Sequence, residues 1–299
     1  MPIEALRTDD ARFADLPDFP WKSHTAENLP GYQGLRLSWL DEGPADAEHT
    51  FLCLHGQPTW SYLYRKMLPV FVAAGGRVVA PDFYGFGRSD KPVDESVYTF
   101  DFHRNAILAL VERLDLKRIT LVVQDWGGLI GLTLPLDIGD RIERLIIMNT
   151  AISTGGSPGP GFEAWLAYSN SKPDLAVGRL LARSCPQLND AEAAAYDAPF
   201  PDVTYKAGVR RFPQIVPIRE DMEGAGYGRP ALGWWRSFEG PAFMAIGMND
   251  PVLGPPIMRV LHRQLKTCPP PMEIADAGHF VQESGEAVAR AALESFEGA

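Results

Sequence analysis

The chain has 299 residues, 45% hydrophobic and 22% charged, which suits one domain with an insertion and a large core better than two equal domains. Its formal net charge of −10, with no Lys/Arg cluster to offset it, argues against a nucleic-acid partner, because a phosphate backbone would be repelled. No run of about eighteen apolar residues could span a membrane, the opening stretch with Glu4, Asp9 and Asp10 is no secretory signal, and Cys53, Cys185 and Cys268 are odd in number and far apart, so a reducing, cytoplasmic setting is expected.

The first thirty residues are polar and proline-rich, and Gly34 to Leu40 then alternates Leu35, Leu37 and Trp39 with the period of a strand. Thr50 to Leu54 is the next strand and ends in His55-Gly56-Gln57-Pro58. Trp60 to Ala74 has helical spacing, closed by Gly75-Gly76 in the manner of a C-cap. Arg77 to Ala80 is a short strand leading into a turn with Gly85 and Gly87; a dinucleotide fingerprint would need a third glycine and a helix opening there. Thr99 can cap a helix through Leu114, in which Ile107, Leu110, Val111 and Leu114 recur at helical spacing.

Ile119 to Val123 is a short, largely apolar and β-branched run, the mark of a strand buried on both faces of a parallel sheet. Asp125 follows, then Trp126, the pair Gly127-Gly128 and an apolar series from Leu129 that suits a buried helix. A strand, a sharp turn and a helix are the setting of a nucleophile elbow. Asp is also a favoured helix N-cap at such a turn, so the stretch alone leaves both roles open.

Arg144 to Met148 is another buried strand, followed by Asn149, and the alternation of strands and helices implies a doubly wound, mostly parallel α/β sheet. Ligands in such sheets bind beyond the carboxyl ends of the strands, where Asp125, His55 and Asn149 fall. The Gly/Ser/Pro-rich stretch Ser153 to Gly161 marks a boundary. From Phe162 to about Arg219 the pattern is helical, so residues 1–152 and 220–299 are expected to form the core and 153–219 a helical cap. Sheet rhythm returns at Ala242 to Ile246, a helix is predicted over Ile257 to Leu265, a strand over Met272 to Ala275, and a final helix near Glu286 to Phe296.

Asp125, Asp250 and His279 thus fall at strand ends in the order nucleophile, acid, histidine of the α/β-hydrolase fold. The literal match Gly155-Gly156-Ser157-Pro158-Gly159 to a serine elbow is a decoy, because no strand precedes it and Pro158 has no N–H to offer an oxyanion. A carboxylate nucleophile narrows the reaction. Attack on a saturated carbon gives an alkyl ester that water can cleave, whereas a serine would give an ether. His279 would activate that water, Asp250 would orient the imidazole, and the N–H groups of Trp126 and Gln57 would hold the ester oxyanion.

His55-Gly56-Gln57-Pro58, Gln124-Asp125-Trp126-Gly127-Gly128 and Gly278-His279-Phe280 resemble the motifs of haloalkane dehalogenases, over nearly the whole chain and closest to the branch containing the 1,2-dichloroethane dehalogenase. The resemblance implies hydrolysis of haloalkanes to alcohol, halide and a proton, with halide bound by Trp126 and Trp165. It further implies a pocket lined by Phe162, Phe212, Pro213, Val216 and Leu253, no cofactor or metal, and a monomer. Donor-only indoles on apolar bodies suit a halide, which accepts but never donates. In this branch the acid sits where Asp250 does, while the place after Met148 holds Asn149. Gln57 stands where the 1,2-dichloroethane dehalogenase has an acid, and the loop before Trp165 is shorter in this chain. The nearest rival is an epoxide hydrolase, for which Tyr168, Tyr196 or Tyr205 would have to supply cap protons; a non-catalytic receptor on the same fold would be expected to lose part of the triad.

Overall fold

A computed structural model describes residues 3 to 298. Eight strands build its main sheet: β1 (His24–Ala26), β2 (Leu37–Glu42), β3 (Thr50–Leu54), β4 (Arg77–Asp82), β5 (Ile119–Val123), β6 (Ile142–Met148), β7 (Ala242–Gly247) and β8 (Met272–Ile274). Their spatial order is β8-β7-β6-β5-β3-β4-β2-β1. Neighbours from β8 to β4 are parallel, and β2 and β1 join antiparallel at one edge. The central strands β3 and β5 are buried at every residue, as expected where helices cover both faces. The chain leaves β3 for β4 on one side and returns to lay β5 on the other. Loops leaving β3 and β5 therefore diverge, and the crevice between them is where such sheets bind ligands.

The helices are α1 (Leu68–Ala73), α2 (Phe100–Arg113), α3 (Trp126–Gly131), α4 (Pro135–Ile138), α5 (Pro160–Asn170), α6 (Val177–Ser184), α7 (Asp190–Ala195), α8 (Ala207–Arg211), α9 (Ala225–Ser237), α10 (Pro255–His262) and α11 (Gly285–Glu297). Thr99 caps α2 by accepting the Phe102 N–H. The helix expected over Trp60 to Ala74 is instead a 3-10 turn, Ser61–Tyr64, followed by the short α1. Pro69 explains the break, since it has no N–H for the preceding turn and is tolerated only at a helix start.

Four helices, α5 to α8, lie between β6 and α9, with no strand among the described residues. Helix α9 had no signal in the sequence, because Gly226, Gly228, Pro230 and Gly233 mask it. Tertiary contacts hold it. Trp235 is fully buried and donates its indole N–H to Leu132 O at 2.8 Å, and a Cβ on Gly228 would stand 1.8 Å from Ser153 O.

Candidate active site

The turn between β5 and α3 holds Asp125 at φ 50°, ψ −124°, a conformation rare for a residue with a side chain and typical of strained functional positions. Its carboxylate makes no capping bond to α3, which removes the N-cap reading. Instead Oδ1 accepts the backbone N–H of Gln57 at 2.8 Å, across the crevice. Glycines permit the close approach. A Cβ on Gly127 would lie 1.9 Å from Leu54 O, one on Gly128 2.1 Å from Thr150 Oγ1, and one on Gly56 2.5 Å from the Asp125 side chain. The first N–H of α3, that of Trp126, has no partner within its helix, as at every helix start.

His279 and Asp250 stand in the loops that leave β8 and β7. Nδ1 of His279 contacts Asp250 Oδ2 at 2.7 Å, and its Nε2 faces Asp125 Oδ2 at 3.5 Å. Asp250 is fully buried at its side chain, yet both of its oxygens have partners. Oδ1 accepts the Val252 N–H at 2.8 Å, and Oδ2 also accepts from Asn149 Nδ2 at 2.9 Å. Burial would by itself push Asp250 up, but the His279 ring and these donors win and hold it below the usual carboxylate range. For His279, burial pulls the other way and is outweighed by Asp250 and then by the Asp125 contact, which raise it to about 10.

Two contributors went unassigned in the sequence. Asn149 locks Asp250 to β6, its own Oδ1 accepting the Gly247 N–H at 2.9 Å. Gln124 donates Nε2 to His279 O at 3.1 Å, an orientation that sets the same amide nitrogen 2.9 Å from His279 Nε2. Both follow a strand end, the one signal available. His55, by contrast, has a structural role: Nε2 accepts the Phe83 N–H at 2.9 Å and Nδ1 meets Gly56 O at 2.8 Å.

Two cavities meet at Asp125. One, of about 390 Å³, is lined by Trp126, Trp165, Phe162, Pro213, Val216 and Leu253. The other, of about 440 Å³, contains His279 and Asp250 and shares Gln57, Asp125, Trp165 and Val252 with the first. A larger open hollow, about 1580 Å³, lies beside Trp21 and Arg290 and holds no triad residue. Among the described residues no acceptor takes the indole N–H of Trp126 or Trp165, whereas that of Trp60 is spent on Ala195 O at 3.2 Å. One expected lining residue is displaced. Phe212 is fully buried behind Trp126, ring centroids 4.7 Å apart, and lies on neither cavity wall; its neighbours Phe86 and His103, edge-on at 4.7 and 4.6 Å, complete an aromatic cluster that supports the indole.

Of Tyr168, Tyr196 and Tyr205, Tyr168 alone lines a cavity that reaches Asp125. Tyr196 is fully buried and donates its hydroxyl to Glu283, and Tyr205 lines a separate hollow beside Arg7. Ser157 donates to Glu163 Oε1 at 3.0 Å and makes no hydrogen bond to His279.

Residues 49–286 match the family model of the alpha/beta hydrolase fold. The chain is 42% identical to a haloalkane dehalogenase of Psychrobacter cryohalolentis, over 96% of each chain. It is 41% identical to one of Mycobacterium marinum, over 94% of this chain and 95% of that one. The structure superposes on the haloalkane dehalogenase DpaA from Paraglaciecola agarilytica NO2, described as tetrameric, with a TM-score of 0.97 and 53% identity over 98% and 99% of the two chains. On these likenesses the chain belongs to the haloalkane dehalogenases, hydrolases of carbon–halide bonds built on the α/β-hydrolase fold.

Proposed function

We propose that Asp125 is the nucleophile of this dehalogenase, with His279 as base and Asp250 as the acid that orients it. The observation that carries the assignment is the His279 ring, with Nδ1 on Asp250 at 2.7 Å and Nε2 facing Asp125 at 3.5 Å. Because the Gln57 N–H holds Oδ1, Oδ2 is the attacking atom. It displaces halide from the carbon, the halide leaves with the bonding electron pair, and Oδ1 becomes the carbonyl oxygen of an alkyl ester. The indole N–H groups of Trp126 and Trp165 receive the halide, charge-assisted donors in an apolar setting.

Water then attacks the carbonyl carbon, His279 takes its proton, and the charge gathers on Oδ1 beside the N–H groups of Gln57 and Trp126. Collapse frees the alcohol and restores the carboxylate. The elevated pKa of His279 fits this sequence. While Asp125 is charged the ring favours the imidazolium, but esterification cancels one of the two carboxylates that raise it. The Gln124 amide beside Nε2 then favours the neutral ring, so a base forms when it is needed, and the proton lost is the third product.

The test is to trap the ester. In His279→Gln, intact-protein mass spectrometry after incubation with a bromoalkane should show the alkyl group without bromine, on the peptide carrying Asp125. An epoxide hydrolase given an epoxide would gain the mass of the entire substrate. That result alone, with no adduct from haloalkanes, would overturn the assignment and promote Tyr168.

The placing of Asp250 after β7, with Asn149 after β6, supports the branch of the 1,2-dichloroethane dehalogenase, and residues 153–219 are taken as its cap. No helix among the described residues is long and apolar enough to cross a membrane, and we keep the cytoplasm as the proposed location. The monomer expected from sequence finds no support in DpaA, which is described as tetrameric. That likeness favours a tetramer, to be tested by light scattering against the 32.9 kDa of one chain.

A further inference from the structure

Arg65 follows the Ser61–Tyr64 turn, and its side chain is fully buried. It meets Glu283 through two bonds, Nη1 to Oε1 at 2.7 Å and Nη2 to Oε2 at 2.9 Å, and reaches Glu192 Oε1 from Nη2 at 2.9 Å. The Tyr196 hydroxyl donates to Glu283 and lies 3.3 Å from Arg65 Nη1. Lys66 Nζ adds a second cation, 2.9 Å from Glu283 Oε2. Two carboxylates thus face two cations, with little or no water reaching the Arg65–Glu283 pair.

Three distant segments converge here. Arg65 and Lys66 belong to the core between β3 and α1, Glu192 and Tyr196 lie in and just after α7, and Glu283 sits in the 3-10 turn Val281–Ser284. That turn begins two residues beyond His279 and is closed by the Glu283 N–H on Phe280 O at 3.0 Å. On the other side α6 rests on the same loop, since a Cβ on Gly278 would lie 3.3 Å from Ser184 O. Stability alone does not account for such a cluster, because well-packed apolar residues are often as stabilising as a buried ion pair. What a bidentate guanidinium supplies is geometry, a rigid planar fork that fixes Glu283 while its Nη2 also holds Glu192.

We propose that Arg65, through Glu283 and Glu192, is a positioning residue that holds the His279 loop in register with α6 and α7, so that Nε2 stays aimed at the Asp125 ester. The proposal rests on the roles of Asp125 and His279 given above. It touches only one of the two chemical steps. Alkylation needs Asp125 and the halide donors, whereas ester hydrolysis needs His279 in place.

Glu192→Gln keeps the volume and the bond from the Asn189 N–H that caps α7, and removes the charge facing Arg65. Tyr196→Phe removes a single hydroxyl. Single-turnover measurements with 1-bromobutane separate the steps, halide release reporting alkylation and intact mass reporting ester decay. The expected result, in folded variants verified by circular dichroism, is ester decay slowed about tenfold in Glu192→Gln and less in Tyr196→Phe, with alkylation changed less than twofold. Equal slowing of both steps, or no change in either, would overturn the proposal and leave the cluster a structural one. A parent enzyme that forms no ester from bromoalkanes would remove this proposal together with the assignment beneath it.

Discussion

Nδ1 of His279 and Oδ2 of Asp250 stand 2.7 Å apart, joining the loops that leave two adjacent parallel strands, β8 and β7. The pair therefore ties pH to stability. His279 is raised to about 10 from an unfolded value of about 6.5, so the folded chain binds the proton more tightly. Its contribution is complete below about pH 6.5 and lost as pH rises through the folded value. Asp250 is lowered, so its contribution is present above an unfolded value of about 3.9 and lost as pH falls through the folded one. Melting temperature should decline from pH 7 to 10, and His279→Gln should flatten that limb. Parallel alkaline limbs in parent and variant would show that the contact has no such role.

Chloride or bromide should quench the intrinsic fluorescence saturably, since Trp126 and Trp165 both line the cavity at Asp125. Removing one donor to a charged acceptor costs about 1.5–3 kcal/mol, so Trp165→Phe should weaken halide binding roughly ten- to a hundredfold. Halide titrations with parent-like affinity in that variant would make Trp165 a packing residue.

Gly127→Ala should destabilise the fold by on the order of 1–3 kcal/mol or more, because its Cβ would stand 1.9 Å from a backbone oxygen of β3, an atom that cannot step aside. Gly156→Ala, with nothing within 4 Å, should stay within about 0.5 kcal/mol of the parent. Urea denaturation of both variants makes the comparison.

Asp125→Ala should abolish halide release while keeping the fold, because the carboxylate caps no helix and its contact with the protein backbone is the Gln57 N–H. Halide release from a folded Asp125→Ala protein, measured with a bromoalkane, would remove Asp125 from the chemistry.

The elements nearest the catalytic crevice were the most legible. β3 and β5 are apolar but for Thr50 and Thr120 because both faces are covered, and Gln57 and Asp125 in the turns beyond them could be picked out as chemical. Legibility fell where tertiary contact overrides local preference. Helix α9 survives three internal glycines and Pro230 because Trp235 and Gly228 lock it to the core. Phe212 has the composition of a pocket residue, and no spacing reveals that it backs Trp126 instead. Pairings such as Arg65 with Glu283, 218 residues apart, leave no mark in local pattern.

The proposed triad is assembled from the middle and the end of the chain, with Asp125 just past a central strand and His279 beyond the last one, of three residues. The elbow is held by β3, β5 and the glycines packed against them, none of which belongs to the loop that carries His279. On the roles proposed above, a folded chain without the His279 ring would keep its nucleophile and lose the means to regenerate it. Each haloalkane it met would then stay attached as a covalent label, so loss of the histidine is expected to inactivate by suicide rather than merely lower a rate.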